Sequence, residues 1–209
     1  MSRTLDDRTV AAARRHLIKA DPKLGRVIKQ VGPLDWNKPR VGSHFEALVS
    51  IILGQQLSGK AAQTIFNRVK DRVRERTLKP EGLARLTDND LRECGVSQPK
   101  QRAIRSLLAA LLDGSLNLRG LSRLDDERVY EKVTAVKGLG PWSAQVFTMF
   151  ILRRADLFCP GDLGIQKAMA ELYGQNGRPD ELIAFAERWR PYRTVACWYL
   201  WAWLNHHKK

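Results

Sequence analysis

The sequence is 209 residues long and carries 36 lysines and arginines against 22 aspartates and glutamates, a formal net charge of +14 at pH 7. Hydrophobic residues make up 44% of the chain, enough for a sizeable core in one globular domain, which excludes a disordered chain. No apolar signal core opens the sequence and no long apolar run follows, so we expect an intracellular protein without a membrane span. The charge favours a polyanionic partner such as nucleic acid; the alternative is a basic protein without one.

Helical spacing of apolar residues extends nearly throughout, and no segment alternates as a strand does, so the predicted fold is all-α. The first helix is expected over residues 6–20. A buried helix is predicted to begin at Ser43, because Ser43 and Glu46 have the spacing of a capping box ahead of an apolar run. The next is predicted from about Ser58 to Arg76, with lysines and arginines enriched on its exterior.

The second half of the chain continues the helical pattern. Ser97 and Pro99 are predicted to start a helix that Gly114 ends. Its predicted buried face consists of Ile104, Leu107, Leu108, Leu111 and Leu112. Further helices are expected after Asp125, Pro141, Asp162, Pro179 and Pro191. The connectors are short and no repeat is present, so we treat residues 1–209 as a single domain.

Cysteines and histidines give no metal-binding pattern. The three cysteines, Cys94, Cys159 and Cys197, lie far apart, which favours reduced thiols that pack in the interior. The four histidines, His16, His44, His206 and His207, lack ligand spacing. No catalytic metal is therefore expected.

Two short segments carry the most information about function. Residues 136–144 read VKGLGPWSA, a Gly-x-Gly hairpin that opens a hydrophobic helix, and residues 160–164 read PGDLG after a short connector. Glycines let the backbone approach a phosphate closely, and the N–H groups at a helix start bind anions without side-chain charge. The hairpin is typical of a DNA-binding element.

These segments, together with ILGQQLS at residues 52–58 and WRPYR at residues 189–193, resemble the helix-hairpin-helix DNA glycosylases. The similarity is greatest to the 3-methyladenine DNA glycosylase II branch and covers roughly residues 43–203. It implies two helical lobes with a DNA-binding cleft. The central lobe would cover about residues 43–135, and the N-terminal helix with the C-terminal helices would form the other. The extra N-terminal β domain of some relatives is expected to be absent.

Asp162 matches the essential aspartate of that family. Excising a base passes through an oxocarbenium-like transition state, and a fixed carboxylate stabilises that positive charge or orients the attacking water. The alternative is that Asp162 is only a helix N-cap, although the two roles are compatible. Relatives often have a second aspartate where this chain has Gly161. Asp156 and Asp180 sit in no matching motif and are expected to be surface or cap residues.

Trp142 occupies the position at which bifunctional relatives place a lysine that attacks the sugar. Tryptophan cannot form a Schiff base, so the resemblance implies a monofunctional hydrolase that leaves an abasic site. It also assigns Trp142 and Trp201 to the base pocket, where an indole would stack on an extruded, cationic alkylated purine. Core packing is the alternative for the tryptophans and is the expected role of Trp198 and Trp203.

The hairpin is expected to hold a DNA phosphate. Gly138 and Gly140 would donate backbone N–H groups, the Ser143 hydroxyl would assist, and Lys137 would contact phosphate or solvent. In the family the hairpin carbonyls also hold a monovalent cation, so a potassium or sodium ion is allowed here.

The turn formed by Gln56, Leu57 and Ser58 corresponds to the family's DNA wedge, which fills the gap left by a flipped nucleotide. Either Gln56 or Leu57 would insert, and the sequence leaves that choice open. The alternative is an ordinary helix–helix turn in which Leu57 packs inward and Ser58 caps the next helix.

The expected function is excision of 3-methyladenine and 7-methylguanine from duplex DNA in base excision repair, by a monomer that needs no cofactor. Four closely grouped C-terminal cysteines are missing, so no iron–sulfur cluster is expected. The alternatives are a non-catalytic binder of damaged or structured DNA, and a glycosylase for another lesion such as ethenoadenine, hypoxanthine or a mismatched base. The expected location is the bacterial cytoplasm and nucleoid, or the nucleus of a eukaryote.

Overall fold

Helices account for nearly all regular structure in the computed structural model, which describes residues 4–34, 42–74 and 77–207. The helices are α1 (Asp7–Ala20), α2 (Pro22–Val31), α3 (His44–Gly54), α4 (Gly59–Val73), α5 (Pro80–Ala84), α6 (Asp88–Glu93), α7 (Gln98–Leu112), α8 (Asp126–Thr134), α9 (Pro141–Phe150), α10 (Leu163–Tyr173), α11 (Pro179–Ala186) and α12 (Arg193–His207). Within the described ranges, β structure is limited to one isolated bridge between Thr4 and Arg154. The predicted all-α class is confirmed.

Two compact units make up the chain. The first unit contains Met1–Lys38 and Thr148–Lys209, and the second unit contains Pro39–Phe147. The cleft expected between two lobes stays a prediction. Among the described helices, none combines the length and apolar character of a membrane-spanning segment.

The core of the first unit is built around α12, which packs on α1, α2 and α10. A buried carboxylate holds this core together: Asp21 Oδ1 caps α2 by accepting the N–H groups of Lys23 and Leu24, each at 3.0 Å. Its Oδ2 accepts the indole N–H of Trp189 and the hydroxyl of Tyr173, each at 2.9 Å. Four donors satisfy this buried charge, so it joins the α1–α2 corner to the later helices.

The core of the second unit is built around α3, which packs on α4 and α7 and is buried along most of its length. The predicted start is confirmed, because Ser43 Oγ accepts the Glu46 N–H at 3.1 Å. Glu46 does not complete the capping box at Ser43. Its Oε2 accepts the Gly42 N–H at 2.6 Å, and its Oε1 pairs with Lys70 Nζ at 3.0 Å. The carboxylate therefore joins α3 to α4.

The helices predicted after Asp125, Pro141, Asp162, Pro179 and Pro191 are all present. Differences lie at helix ends and in short helices. Helix α4 ends at Val73, three residues before the predicted Arg76, because Arg74 adopts a left-handed conformation with φ of 60°; residue 76 itself lies outside the described residues. Leu112 was expected in the core but is 92% exposed at the last residue of α7. Helices α2, α5 and α6 were not specified from sequence; α5 and α6 are too short to show a helical period.

Candidate active site and DNA-binding surface

Asp162 lies at the start of α10 in the first unit and is half-buried. Its Oδ1 accepts two hydrogen bonds, from the Ile165 N–H at 2.9 Å and from the indole N–H of Trp201 at 2.7 Å. The first bond is an N-cap, so the N-cap interpretation is confirmed. The second is a short charge-assisted bond from a helix distant in sequence. The carboxylate is thus fixed in position by two donors that are themselves held in helices.

Gly164 makes the contact between Trp201 and Asp162 possible. A Cβ at this position would lie 3.0 Å from both Asp162 Oδ1 and Trp201 Cδ1, a distance that ordinary side-chain contacts rarely reach. The Trp201 ring also lies against Phe150, with centroids 5.4 Å apart, and Trp198 stacks on the same Phe150 ring at 4.7 Å. Trp201 therefore positions the carboxylate. Its contact with a flipped base stays a prediction.

The cysteines nearest to Asp162 are Cys159 and Cys197, which are buried in the first unit and form no disulfide bond. The Cys159 carbonyl accepts the Asp162 N–H at 3.2 Å, which fixes the connector that leads into α10. Burial, with the negative charge of Asp162 as a lesser cause, raises the pKa of Cys197 to about 12 and also raises the pKa of Cys159. All three cysteines are buried and none is in a disulfide bond, so the packing role predicted for them is confirmed.

The other two aspartates differ from Asp162 in their surroundings. Asp180 lies on the surface and pairs with Arg178 at 3.4 Å, as expected. Asp156 is only 17% exposed and accepts Arg193 Nε at 2.9 Å, Arg190 Nη1 at 2.8 Å and the Arg193 N–H at 3.2 Å. Asp156 therefore anchors the start of α12 through an ion-pair cluster. Both carboxylates are engaged in structural pairs.

The Gly-x-Gly hairpin connects α8 to α9 in the second unit. Leu139 N–H donates to the Val136 carbonyl at 2.9 Å, which closes the turn. Gly138 has a φ of 96°, and a Cβ there would collide with Ala103 of α7. Both the backbone conformation and the lack of space therefore require glycine at this position. Gly140 faces open space, and Lys137, Gly138 and Gly140 are all exposed. Both glycines are therefore accessible from solvent, and their contact with a phosphate stays a prediction.

Gln55 connects the hairpin to the turn after α3. Its Nε2 donates to the Gly138 carbonyl at 2.9 Å and to the Ser143 hydroxyl at 3.1 Å. Ser143 is only 1% exposed, so its hydroxyl faces the interior and the predicted phosphate contact of Ser143 is wrong. The first turn of α9 is rotated so that this side chain points to Gln55. Sequence reasoning named Gln55 only as part of a motif and missed its bond to the hairpin.

The turn between α3 and α4 presents both wedge candidates. Gln56 adopts a left-handed conformation with φ of 57° and is exposed, and Leu57 is 42% exposed. The alternative in which Leu57 packs inward is therefore wrong. Ser58 does cap α4, because its Oγ accepts the Ala61 N–H at 3.3 Å. Lys100 Nζ donates to the Leu53 carbonyl at 2.7 Å at the end of α3, and partial burial lowers its pKa.

The remaining pocket candidate, Trp142, lies in the first turn of α9 and is half-buried. Its role in binding a base stays a prediction. Among the described residues, no group of three or more histidines, cysteines, aspartates and glutamates is placed to hold a metal ion. The hairpin carbonyls of Val136 and Gly138 already accept hydrogen bonds, and each keeps a second lone pair that a monovalent cation could use.

Comparison with known proteins connects these elements. Residues 49–194 match the profile of the HhH-GPD superfamily base excision DNA repair proteins, and the match includes the turn, the hairpin and Asp162. The chain belongs to the HhH-GPD superfamily. Curated relatives of this HhH-GPD protein include DNA-3-methyladenine glycosylase 1 of Schizosaccharomyces pombe. That protein is 30% identical over 198 residues, which cover 92% of this chain and 87% of the relative.

Solved structures give the same family. The HhH-GPD chain superposes on a DNA-3-methyladenine glycosidase from Bacillus halodurans with a TM-score of 0.76 and 37% identity, covering 94% of this chain and 91% of the other. It also superposes on the Schizosaccharomyces pombe 3-methyladenine DNA glycosylase Mag1 in complex with abasic-DNA. The TM-score there is 0.82 with 29% identity, over 91% of this chain and 95% of that one. The predicted family is confirmed.

Proposed function

We propose that this HhH-GPD protein is a DNA glycosylase that hydrolyses the N-glycosidic bond of alkylated purines, among them 3-methyladenine and 7-methylguanine, in duplex DNA. The observation that carries the proposal is the carboxylate of Asp162, fixed by the Ile165 N–H and the Trp201 indole at the position that matches the family's aspartate. The names of its relatives support the choice of alkylated bases. The product is free base and an abasic site.

The chemistry breaks the bond between C1′ of the sugar and the ring nitrogen of the base. The bond pair leaves with the base, positive charge develops on the sugar, and water adds at C1′ and loses a proton. A 3-methyladenine base is already cationic and leaves as a neutral molecule, so the enzyme need not supply strong acid catalysis. The fixed Asp162 carboxylate stabilises the positive charge without reorganising as the reaction proceeds. It also offers an acceptor for the attacking water.

The proposal includes hydrolysis without strand cleavage. A lyase route needs an amine that forms a Schiff base with C1′, and the position matched to that lysine holds Trp142. Lys137, the nearest lysine in sequence, belongs to the hairpin. Borohydride added during turnover should therefore trap no covalent protein–DNA complex, and the DNA strand should stay intact until alkali is added. A trapped complex would contradict this part of the proposal and leave base excision standing.

DNA binding in this proposal uses the two exposed elements of the second unit. The hairpin holds a phosphate through the N–H groups of Gly138 and Gly140, and Gln56 or Leu57 fills the space of the flipped nucleotide. A potassium or sodium ion at the hairpin carbonyls remains compatible with the geometry. We propose further that the protein acts as a monomer on chromosomal DNA inside the cell.

The test is chromatographic detection of bases released from methylated duplex DNA, with wild type and Asp162→Asn compared at concentrations that give equal DNA binding. Asparagine is also a good N-cap, so the variant keeps the start of α10 and loses only the charge. We expect wild type to release 3-methyladenine or 7-methylguanine, and Asp162→Asn to be slower by about 100-fold or more, as for loss of other transition-state charge contacts. Equal release by both proteins would refute the role of Asp162.

A second outcome separates the alternatives. If neither protein releases a methylated base while both bind DNA, duplexes containing ethenoadenine, hypoxanthine or a mismatch become the substrates to assay. Release from one of these would redirect the proposal to another lesion. No release from any of them would identify a non-catalytic DNA binder.

A further inference from the structure

A cavity of about 330 Å³ lies in the second unit beside the hairpin. Helix α7 contributes Gln98, Gln101, Arg102, Arg105 and Ser106 to its walls, the hairpin contributes Lys137, and Asp88 at the start of α6 completes the lining. Gly138 and Gly140 do not line this cavity, and of its lining residues only Lys137 is predicted from the sequence to contact DNA.

Backbone packing brings the two basic residues to the same cavity. Ala103 of α7 lies directly under Gly138, close enough that a Cβ on the glycine would collide with it. Arg102 and Lys137 are the chain neighbours of these two contacting residues, and both line the cavity. Their shared position at the cavity therefore follows from this contact between α7 and the hairpin.

The cavity has an excess of positive charge. Arg105 is neutralised, because its Nε and Nη2 donate to Asp88 Oδ1 at 3.1 and 2.8 Å. Arg102 and Lys137 are exposed, and within the described part of the chain neither has a carboxylate partner within ion-pair distance. The first turn of α7 adds to the positive potential: its N-cap Ser97 makes no side-chain hydrogen bond to the helix, and Gln98 at that end faces the cavity.

We propose that this cavity binds a second phosphate of the DNA duplex, distinct from the phosphate on the hairpin N–H groups. The inference rests on the proposed DNA substrate. Arg102 supplies a planar fork that matches two phosphate oxygens, and Lys137 supplies a point charge from the hairpin. The Gln98 amide adds a neutral donor. A free phosphate ion has the same chemistry, so the experiments include it.

The first experiment is the salt dependence of duplex binding, measured by fluorescence anisotropy for wild type and Arg102→Gln. The matched control is Arg178→Gln, which also removes one positive charge but from an arginine paired with Asp180 and Glu181 in the first unit. Loss of one phosphate contact makes the negative slope of log K against log salt concentration shallower by about 0.9. Between 50 and 200 mM salt, the affinity of Arg102→Gln should therefore fall by a factor about 3.5 times smaller than that of wild type. Arg178→Gln should keep the wild-type slope. Equal slopes for Arg102→Gln and wild type overturn the proposal.

The second experiment locates the phosphate. Single phosphates near the lesion are replaced one at a time by uncharged methylphosphonates, and each duplex is bound to wild type and to Arg102→Gln. We expect one position at which the replacement weakens wild type but has no further effect on the variant, because the contact is already lost. If every replacement affects both proteins equally, Arg102 acts only through net charge and the proposal is wrong.

Two further measurements complete the test. Titration of wild type and Arg102→Gln with inorganic phosphate distinguishes a DNA phosphate from a free phosphate ion. If phosphate binding depends on Arg102 while Arg102→Gln binds DNA as wild type does, the cavity binds a free anion and the DNA proposal is overturned. Thermal unfolding checks the fold of each variant, and Arg102→Lys, which keeps the charge, should restore the salt slope. Base release by wild type is measured separately, so a failed glycosylase assay with an intact Arg102 effect refutes the activity and not this site.

Discussion

Replacing Trp201 by phenylalanine isolates the contribution of one hydrogen bond to catalysis. The substitution keeps an aromatic ring against Phe150 and removes the indole N–H that donates to Asp162 Oδ1 at 2.7 Å. A hydrogen bond to a charged group contributes about 1.5–3 kcal/mol. If this bond serves to hold the carboxylate for the transition state, its loss slows base release by about 10- to 150-fold, at roughly 1.4 kcal/mol for each factor of ten.

The assay is single-turnover release of 3-methyladenine with enzyme in excess over methylated duplex, so that the rate reports the chemical step. Trp189→Phe is the matched control. It removes the same kind of bond within the same unit, from an indole N–H to the carboxylate of Asp21 at 2.9 Å, and so leaves the hydrogen bonds of Asp162 in place. Because Trp189 is fully buried, we expect that variant to lose more thermal stability than Trp201→Phe and to retain the wild-type rate.

A wild-type rate in Trp201→Phe would refute the positioning role of the indole. The double variant with Asp162→Asn gives a sharper criterion. If Trp201 acts through the carboxylate, its substitution should have no further effect on the rate once the charge is gone. Additive losses would mean that Trp201 contacts the substrate independently.

Three further predictions follow from the packing. Gly164→Ala should slow base release while duplex affinity stays within about twofold, because the added methyl group displaces the aspartate–tryptophan pair by crowding both partners; an unchanged rate would show that the pair tolerates the shift. Gly138→Ala should weaken DNA binding and lower the melting temperature because of its positive φ and its contact with Ala103, whereas Gly140→Ala, in open space, should melt as wild type does. Burial raises the pKa of the Cys197 thiol to about 12, so this thiol should resist a thiol reagent at pH 8 in the native protein and react in urea; rapid labelling of the native protein would contradict the burial. The free energy of unfolding should also fall as the pH rises from about 9 toward 12, because the Cys197 thiol of the unfolded chain loses its proton at a lower pH than that of the folded chain.

The parts of the site that local backbone chemistry determines could be predicted from sequence. Gly138 stands in a turn that needs a left-handed residue, and Asp162 precedes an apolar helix that needs a cap, so each position shows its role within a few residues of chain. The helix starts after Asp125, Pro141 and Pro179 follow from the same kind of signal. Capping and turn residues close in sequence were sufficient to predict these positions and helix starts.

The parts that depend on tertiary contacts could not be predicted. Gln55 reaches a carbonyl 83 residues away and a hydroxyl 88 residues away, and no pattern near Gln55 specifies either partner. Ser143 was misassigned because its place at a helix start suggests exposure, and only the rotation of α9 shows that it faces inward. The Trp201 bond to Asp162 joins two segments 39 residues apart. The sequence indicated the residue types of the site, whereas folding decided which of them meet.

The bond from Gln55 to the hairpin has a mechanical consequence. It connects the turn that carries Gln56 and Leu57 to the backbone that would hold a phosphate, within one compact unit. The bond therefore holds these two elements at a fixed spacing. In the proposed binding mode, duplex DNA brings a backbone phosphate and a gap in its base stack to that same spacing. Ordinary B-form DNA has no such gap, and a weakly stacked lesion opens one at the smallest energetic cost. We therefore expect the search for damage to depend on how readily each base pair unstacks to match this spacing, before the base itself is recognised.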